Sequence, residues 1–208
     1  MDKFVITISR CCGAGGTTIG RRLASDLGVS FYDKNLLRLA SEDSGINETL
    51  FANADEKLKG SLLYKVSRKV YQGELIPPES EDFTTNRNLF NYQAKVLKEL
   101  AERESYVVIG RCADFILRDH PRLVRIFLYA PFEDCVAHEM QKHSIGKREA
   151  EKYIDKTDKY RSEYHKYHTG HDWMEMENYD ICINTGAMEY EKAVEIVEFH
   201  VKQILEGK

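Results

Sequence analysis

Short apolar runs alternate with amphipathic segments along this chain. The pattern predicts strands at residues 4–8, 29–32, 106–109, 123–129 and 179–184. Helical periodicity appears at residues 18–27, 34–41 and 189–205, and Gly28 is placed to cap the first of these helices. Strands separated by helices indicate βαβ units, so we expect an α/β fold in three layers, with a parallel sheet and helices on both faces.

A glycine-rich turn lies between the first strand and the first helix, in the stretch ISRCCGAGGTTIG. Strand, glycine turn and helix in this order are typical of a phosphate-binding loop, in which backbone N–H groups at a helix N-terminus form an anion nest. The residues expected to contribute here are Gly13, Ala14, Gly15, Gly16, Thr17 and Thr18. Thr17 is the expected magnesium ligand, through its hydroxyl. The alternative is a tight turn without a ligand.

The loop departs from the usual G-x-x-x-x-G-K-[ST] pattern at two positions. Gly16 stands where the lysine is expected, and Arg10 stands where the first glycine is expected. We hypothesise that Arg10 supplies the missing positive charge, since a guanidinium is always charged and suits phosphate oxygens. Arg161 and Lys159 are the other candidate cations. Alternatively, Arg10 pairs with a surface carboxylate and the loop merely binds an anion.

Four positions lie at or just after the ends of predicted strands: Gly13, Asp33, Arg111 and Asn184. The carboxyl ends of parallel strands meet at one edge of a sheet, where ligands bind in such folds. We therefore expect these residues to gather at that edge.

Two segments interrupt the alternation within what we interpret as a single domain, 1–208. Residues 44–105 are mostly helical and polar and are broken by Gly73 and Pro77-Pro78, which indicates a helical insert. Residues 141–172 are dense in charge and tyrosine. They form either a solvated helical surface or a mobile basic lid that closes over phosphates. Their position between the last two strands favours the lid.

Composition excludes several classes of protein. A net charge of −4 over 208 residues argues against binding a nucleic-acid polymer through bulk positive charge. No apolar run approaches the roughly 18 residues that a membrane span requires. We expect no secretion signal, because no basic segment and apolar run precede the first strand. Five cysteines without C-x-x-C spacing fit reduced thiols in a cytoplasmic protein, and Cys11 and Cys12 fit small loop-filling side chains.

Several ordered motifs resemble those of the cytidylate-kinase-like P-loop proteins. They are the loop itself, the YD after the second strand, VVIGRCADFIL, the D-x-x-R of Asp158 and Arg161, and the closing YDICINTG. The resemblance implies a P-loop NTPase fold, ATP and Mg²⁺ as cosubstrates, and phosphoryl transfer to a nucleoside monophosphate, cytidylate foremost. Two further departures from that family are Cys112, where those kinases carry aspartate, and Ile154, where they carry arginine.

On this basis we place residues in roles. The acceptor-binding set, beside the helical insert, is Asp33, Arg38, Arg111 and Asp114. Arg111 suits bidentate contact with an acceptor phosphate, or else a surface ion pair. The catalytic set is Arg10, Arg161 and Asp158; the last two form either a local salt bridge or a phosphate-reaching arginine oriented by its carboxylate. Asp33 orders the acceptor or a magnesium-bound water, or caps the next helix.

Other interpretations have weaker support. His165, His168 and His171 suggest a metal site, but an exposed helix face is the expected explanation. Gly13-Ala14-Gly15 begins a dinucleotide-binding fingerprint, with Asp33 near its acidic position, yet its third glycine would be residue 18, a threonine. A nucleotide-binding regulatory module that transfers no phosphate stays open because the loop lysine is absent. The oligomeric state is not indicated by the sequence.

Overall fold

Five parallel strands form the central sheet in the part of the chain that the structure describes. The structure, a computed structural model, describes residues 3–33, 36, 75 and 86–206. Its strands are β1 (Val5–Arg10), β2 (Ser30–Tyr32), β3 (Tyr106–Ile109), β4 (Leu123–Tyr129) and β5 (Ile181–Asn184). Their order in the sheet is β2-β3-β1-β4-β5, and every pairing is parallel. The predicted fold class is confirmed.

Six α-helices surround this sheet in the described part of the chain. They are α1 (Gly16–Leu27), α2 (Asn86–Arg103), α3 (Ala113–Ile116), α4 (Phe132–His143), α5 (Lys147–Thr169) and α6 (Tyr190–Glu206). Short 3-10 turns at Met176–Asn178 and Thr185–Ala187 flank β5. Among the described helices, none is both long and apolar enough to cross a bilayer.

Apolar packing on both faces of the sheet builds the three layers. On one face, Ile6 and Ile8 of β1 pack with residues of α1 and α6 such as Leu23 and Val197. On the other face, Val5 packs with residues of α2 and α3. Central strands of a parallel sheet are buried on both sides, which explains their continuous apolar runs. Each fully buried aliphatic side chain contributes about 1.5–3 kcal/mol.

The boundary of the first strand differs from the prediction in a way that matters for the site. Residues 4–8 were expected, but β1 extends through Arg10, which pairs in register with Leu128 of β4. The extra residues are polar, so apolar patterning missed them, whereas pairing with the neighbouring strand retains them in the sheet. The backbone of Arg10 is therefore fixed by the sheet and does not belong to a loop.

The predicted insert also needs a correction. Its last part, α2, lies in the core: Leu89, Ala94, Leu97 and Ala101 are buried against the sheet. These positions repeat at helical spacing on one face, while the charged residues on the other face made the segment look polar. Residues 86–103 therefore belong to the core layer. Arg38 and nearly all of residues 44–85 lie outside the described residues.

Candidate active site

The turn between β1 and α1 presents backbone donors at a helix N-terminus. Gly13 and Gly15 adopt left-handed conformations, with φ of 86° and 74°. The Ala14 N–H donates to the Cys11 carbonyl at 3.3 Å, and the Ile19 N–H donates to the Gly15 carbonyl at 3.0 Å. The first N–H groups of a helix have no carbonyl within it to bond, and the helix dipole is positive there. The turn thus has the glycine conformations and the helix N-terminus on which the predicted anion nest depends.

Packing from two helices adds to the glycine requirement. A Cβ at Gly13 would lie 2.7 Å from the backbone Cα of Cys135 in α4, and a Cβ at Gly15 would overlap the ring of Tyr190 in α6. His138 Nδ1 lies 2.8 Å from the Gly13 carbonyl oxygen. The glycine loop therefore packs closely against α4 and α6.

The Arg10 side chain extends from the end of β1 towards the residue that follows β3. Its stem lies beside Gly16, and its guanidinium reaches Gly110, where an added Cβ would lie 2.7 Å from Nη1. Burial lowers the pKa of Arg10 to about 9, with repulsion from Arg161 added and attraction from Asp33 opposing it. Arg10 stays protonated at neutral pH. It lies within the cleft, so the surface ion pair considered as an alternative does not describe it.

A cavity of about 240 Å³ lies beside this guanidinium. Its lining includes three arginines and one carboxylate: Arg10, Arg111, Arg161 and Asp33. Arg111 and Cys112 have φ of 63° and 54°, in the left-handed region that costs non-glycine residues energy. Such strain is concentrated at functional sites. Here it accompanies the presentation of Arg111 at the sheet edge, as expected from its position after β3.

Helix α5 is bonded to the loop by Asp158 and Arg161. The Cys12 N–H donates to both carboxylate oxygens of Asp158, at 2.8 and 3.1 Å. Arg161 donates to the Arg10 carbonyl at 3.1 Å and to Asp158 at 3.2 Å. Burial raises the pKa of Asp158, although attraction to Arg161 opposes the shift. The pair is thus a local salt bridge that also connects α5 to the loop, and Arg161 lines the cavity as well.

The three histidines of α5 and its C-terminal turn do not form an exposed face, and that expectation is wrong for two of them. His165 and His168 are buried, because this side of α5 packs against α2 and α3, whereas His171 is exposed. His165 Nε2 lies 2.8 Å from Asp114 Oδ2, and His168 stacks on Phe90 at a ring separation of 3.9 Å. Among the described residues, no group of three potential metal-binding side chains is found.

The two buried histidines have opposite pKa shifts. Burial alone would lower the pKa of His165, but the hydrogen bond and the attraction from Asp114 outweigh it and raise the pKa. Burial lowers the pKa of His168 to about 3. The surroundings of His165, at the cavity wall, therefore favour its protonated form, whereas those of His168 favour the neutral form.

The remaining predicted residues separate into three groups. Thr17 and Thr18 lie in the first turn of α1, and Thr17 is half-buried at the mouth of the nest. Asp114 was expected to contact the acceptor, but its carboxylate is buried behind the wall against His165. Asn184 accepts a hydrogen bond from the Gly186 N–H, so it caps the turn after β5.

Sequence reasoning missed most of the cavity's α5 wall. Thr157, Tyr160, Tyr164 and His165 line the cavity together with Arg161. They recur at the three- and four-residue spacing of one helix face, which was the available signal. Burial of Cys11 and Cys12 raises the pKa of these thiols to about 12 and about 11, which fits the filling role expected of them.

The sheet, the loop and the helices on both faces define a P-loop kinase fold. The family model of the cytidylate kinase-like family matches residues 5–187, so the chain belongs to that family. No curated protein matches the sequence significantly.

Solved structures share the fold at low sequence identity. An uncharacterized protein from Eubacterium ventriosum ATCC 27560 is 23% identical, with a TM-score of 0.71 over 96% of this chain and 99% of that one. Shikimate kinase from Bacteroides thetaiotaomicron is 15% identical, with a TM-score of 0.55 over 96% and 98%. A gluconokinase from Sinorhizobium meliloti 1021 is 13% identical, with a TM-score of 0.53 over 99% and 95%.

Proposed function

We propose that this protein transfers the γ-phosphoryl group of ATP to a nucleoside monophosphate, with cytidylate as the leading acceptor. One observation carries the proposal: the anion nest of α1 and an arginine-lined cavity share one edge of the sheet, and Arg10 extends from one to the other. Phosphoryl transfer needs positioned donors and cations more than covalent chemistry. The arrangement supplies both.

The donor side fits the phosphates of ATP. N–H groups at the start of α1, from Gly16 onwards, face outward with the positive end of the helix dipole. We assign Mg²⁺ binding to the Thr17 hydroxyl, and the metal would supply positive charge beside the phosphates. Mg²⁺ in such sites is bound by few protein ligands together with phosphate oxygens and water. The lack of an acidic cluster among the described residues is compatible with that arrangement.

The acceptor side fits an anion. Arg111 lines the cavity and offers the planar fork that suits a phosphate. Asp33, directly after β2, lines the same cavity, and we propose that it accepts a hydrogen bond from an acceptor hydroxyl. The cavity is of a size for the phosphate-bearing end of an acceptor rather than for a whole nucleotide. Cytidylate is preferred because of family membership, not because of a recognised base pocket.

A transfer assay tests the proposal. Radiolabelled γ-phosphate from ATP with Mg²⁺ is followed to a panel of CMP, UMP, AMP and GMP. Shikimate and gluconate are included because kinases that share the fold act on them. We expect transfer to CMP above all others. Transfer to another acceptor would support the assignment as a kinase but replace cytidylate as its substrate. Thermal stabilisation by ATP with Mg²⁺ without any transfer would favour a regulatory module. Stabilisation by NADH alone would favour a dinucleotide-binding oxidoreductase, the class to which the fingerprint begun by Gly13-Ala14-Gly15 would belong.

Substitution of Arg111 separates the two sides of the site. Arg111→Ala should raise KM for the acceptor by about 10- to 100-fold, as loss of charge-assisted hydrogen bonds worth about 1.5–3 kcal/mol implies. The affinity for ATP should stay nearly unchanged. Alanine and arginine both bear the cost of a positive φ, so the backbone strain is matched. Arg118→Ala, at an exposed residue next to Phe115, is the control. Equal losses for both nucleotides would contradict an acceptor role for Arg111.

A further inference from the structure

The two departures from the usual phosphate loop contact each other. A Cβ added at Gly16 would lie 2.6 Å from Cγ of Arg10, 3.0 Å from its Cβ and 3.3 Å from its Cδ. Non-bonded carbon atoms have their optimal separation at about 3.5–4.0 Å, so the nearest of these distances is repulsive. The Arg10 Cβ moves only with its backbone, whereas Cγ and Cδ also move by rotation about the side-chain bonds.

That backbone has little freedom to move. Residues Val5 to Arg10 pair in register with β4, and the pairing ends at Arg10 opposite Leu128. Directly after it, the Cys11 N–H donates to the Leu128 carbonyl at 2.9 Å. The Arg10 Cβ therefore stays 3.0 Å from the position of a Cβ at residue 16. In the side-chain conformation that carries the guanidinium to Gly110, a side chain at position 16 overlaps the Arg10 stem.

We infer that Arg10 performs the role of the loop lysine, and that position 16 is glycine because the Arg10 stem fills the space in which a lysine side chain would begin. This inference rests on the proposed function. The usual loop has no side chain at the first position and a lysine at the seventh; this chain has the reverse. Compared with the usual loop, the positive charge of this chain lies at the end of β1 and not in the first turn of α1.

The path of the Arg10 side chain agrees with this exchange. It passes Gly16 and ends at Gly110, so a residue without a side chain borders each end of the arginine. The guanidinium lies at the boundary between the nest and the cavity, close enough to Arg161 and Arg111 for both to repel it. Cations held together in a cleft favour a bound anion, because phosphate oxygens relieve their mutual repulsion.

Arginine at this position also differs from a loop lysine in what it reaches. A lysine is a point charge, whereas a guanidinium has several donors in one plane. From the boundary, Arg10 is able to donate to a transferring phosphoryl group from the side of β3. With arginine at position 10, the positive charge of the loop would lie between the phosphates of ATP and the acceptor.

A double-mutant cycle tests the exchange. The variants are Arg10→Gly, Gly16→Lys and the combination, which recreates the usual loop pattern. Binding of tripolyphosphate and of ATP with Mg²⁺ is measured by calorimetry, and transfer is measured separately. We expect each single variant to lose at least about tenfold in affinity and about a hundredfold in transfer, as for a preorganised charge stabiliser. The combination should recover most of the loss, since neighbouring positions couple.

Two further variants separate the effect of the positive charge from effects on folding and on the overlap between positions 10 and 16. Arg10→Met retains a long stem without the charge, so it should fold like the original protein and still lose tripolyphosphate affinity. Arg10→Gly with Gly16→Ala removes the same overlap but adds no charge, and it should not recover. Unchanged affinity in Arg10→Met, or a combination with lysine no better than its worse parent, would overturn the inference.

The outcomes also separate this inference from the proposed function. If the original protein and Arg10→Met both transferred phosphate normally, the proposed kinase function would be retained and Arg10 would have no part in the mechanism. Absence of transfer to every acceptor would contradict the proposed function. In that case the tripolyphosphate cycle still decides whether Arg10 carries the loop's charge.

Discussion

The glycine loop and helix α5 form two walls of the same site in opposite ways. The loop contributes backbone: its donors are N–H groups, and Gly13 and Gly16 matter because they have no side chain. Helix α5 contributes side chains, of which Asp158 and His165 are bonded to partners far away in the chain. The loop can therefore tolerate almost no added atom, whereas α5 depends on retaining the polar atoms it has.

The largest expected effect tests the first half of this comparison. Gly13→Ala combines a left-handed backbone with a Cβ 2.7 Å from the Cα of Cys135, so it should cost about 3 kcal/mol or more in the free energy of unfolding. Gly28→Ala is the matched control, because its φ is 65° and nothing lies within 4 Å of the added atom. The control should cost about 1–2 kcal/mol. Urea unfolding measures both, and equal costs would mean that packing against α4 is unimportant.

A smaller loss in the free energy of unfolding is expected when a polar contact between α5 and the loop is removed. Asp158→Ala leaves the Cys12 N–H without its acceptor and Arg161 without its carboxylate, which should cost about 1–3 kcal/mol. Asp158→Asn should cost less, because its amide oxygen can still accept from Cys12. Asp119→Ala, with a carboxylate 89% exposed, should change the free energy of unfolding by less than about 0.5 kcal/mol. Similar values for Asp158→Ala and Asp119→Ala would show that α5 is not bonded to the loop in solution.

The smallest effects are expected in the pH dependence of stability. His165 has a folded pKa above its unfolded value of about 6.5, so its contribution is complete below that value and is lost as pH rises through the folded pKa. His168 has a folded pKa of about 3, so its contribution is present above about 6.5 and is lost as pH falls towards 3.

Substitutions separate these two opposed slopes. His165→Gln should reduce the loss of stability above neutrality, and His168→Phe, which retains the ring stacked on Phe90, should reduce the loss in acid. Each slope has a limit of about 1.4 kcal/mol per pH unit for one proton. Unfolding free energies between pH 5 and 8 measure both. If the unfolding free energy changed with pH in the same direction in both variants, the contrast between His165, paired with Asp114, and His168, stacked on Phe90, would be contradicted.

The same comparison explains what the sequence could predict. The sheet, the loop and the gathering of Asp33 and Arg111 at one edge follow from local patterns, because strand, turn and helix are each encoded within a few residues. The burial of His165 and His168 depends on α2 and α3, whose approach no local pattern encodes. A charged, tyrosine-rich segment therefore looked exposed, and whether α5 moves as a lid stays a prediction.

The coupling of Arg10 to Gly16 was also beyond sequence reasoning. Both departures were visible, and Arg10 was a natural candidate for the missing charge. Their overlap is a matter of distances of 2.6 to 3.3 Å, which depend on how β1 ends and where α1 begins. Apolar patterning ended the strand two residues early, so it left Arg10 in the loop with an undefined direction.

A structure with a non-hydrolysable ATP analogue and Mg²⁺ tests the central claim most directly. If Arg10 carries the charge of the loop lysine, a guanidinium nitrogen of Arg10 should lie within about 3 Å of a β- or γ-phosphate oxygen, with the first N–H groups of α1 on the same phosphates. A bound analogue whose phosphates contact the α1 N–H groups and Arg161, while the Arg10 guanidinium stays against Gly110 without touching phosphate, would contradict it.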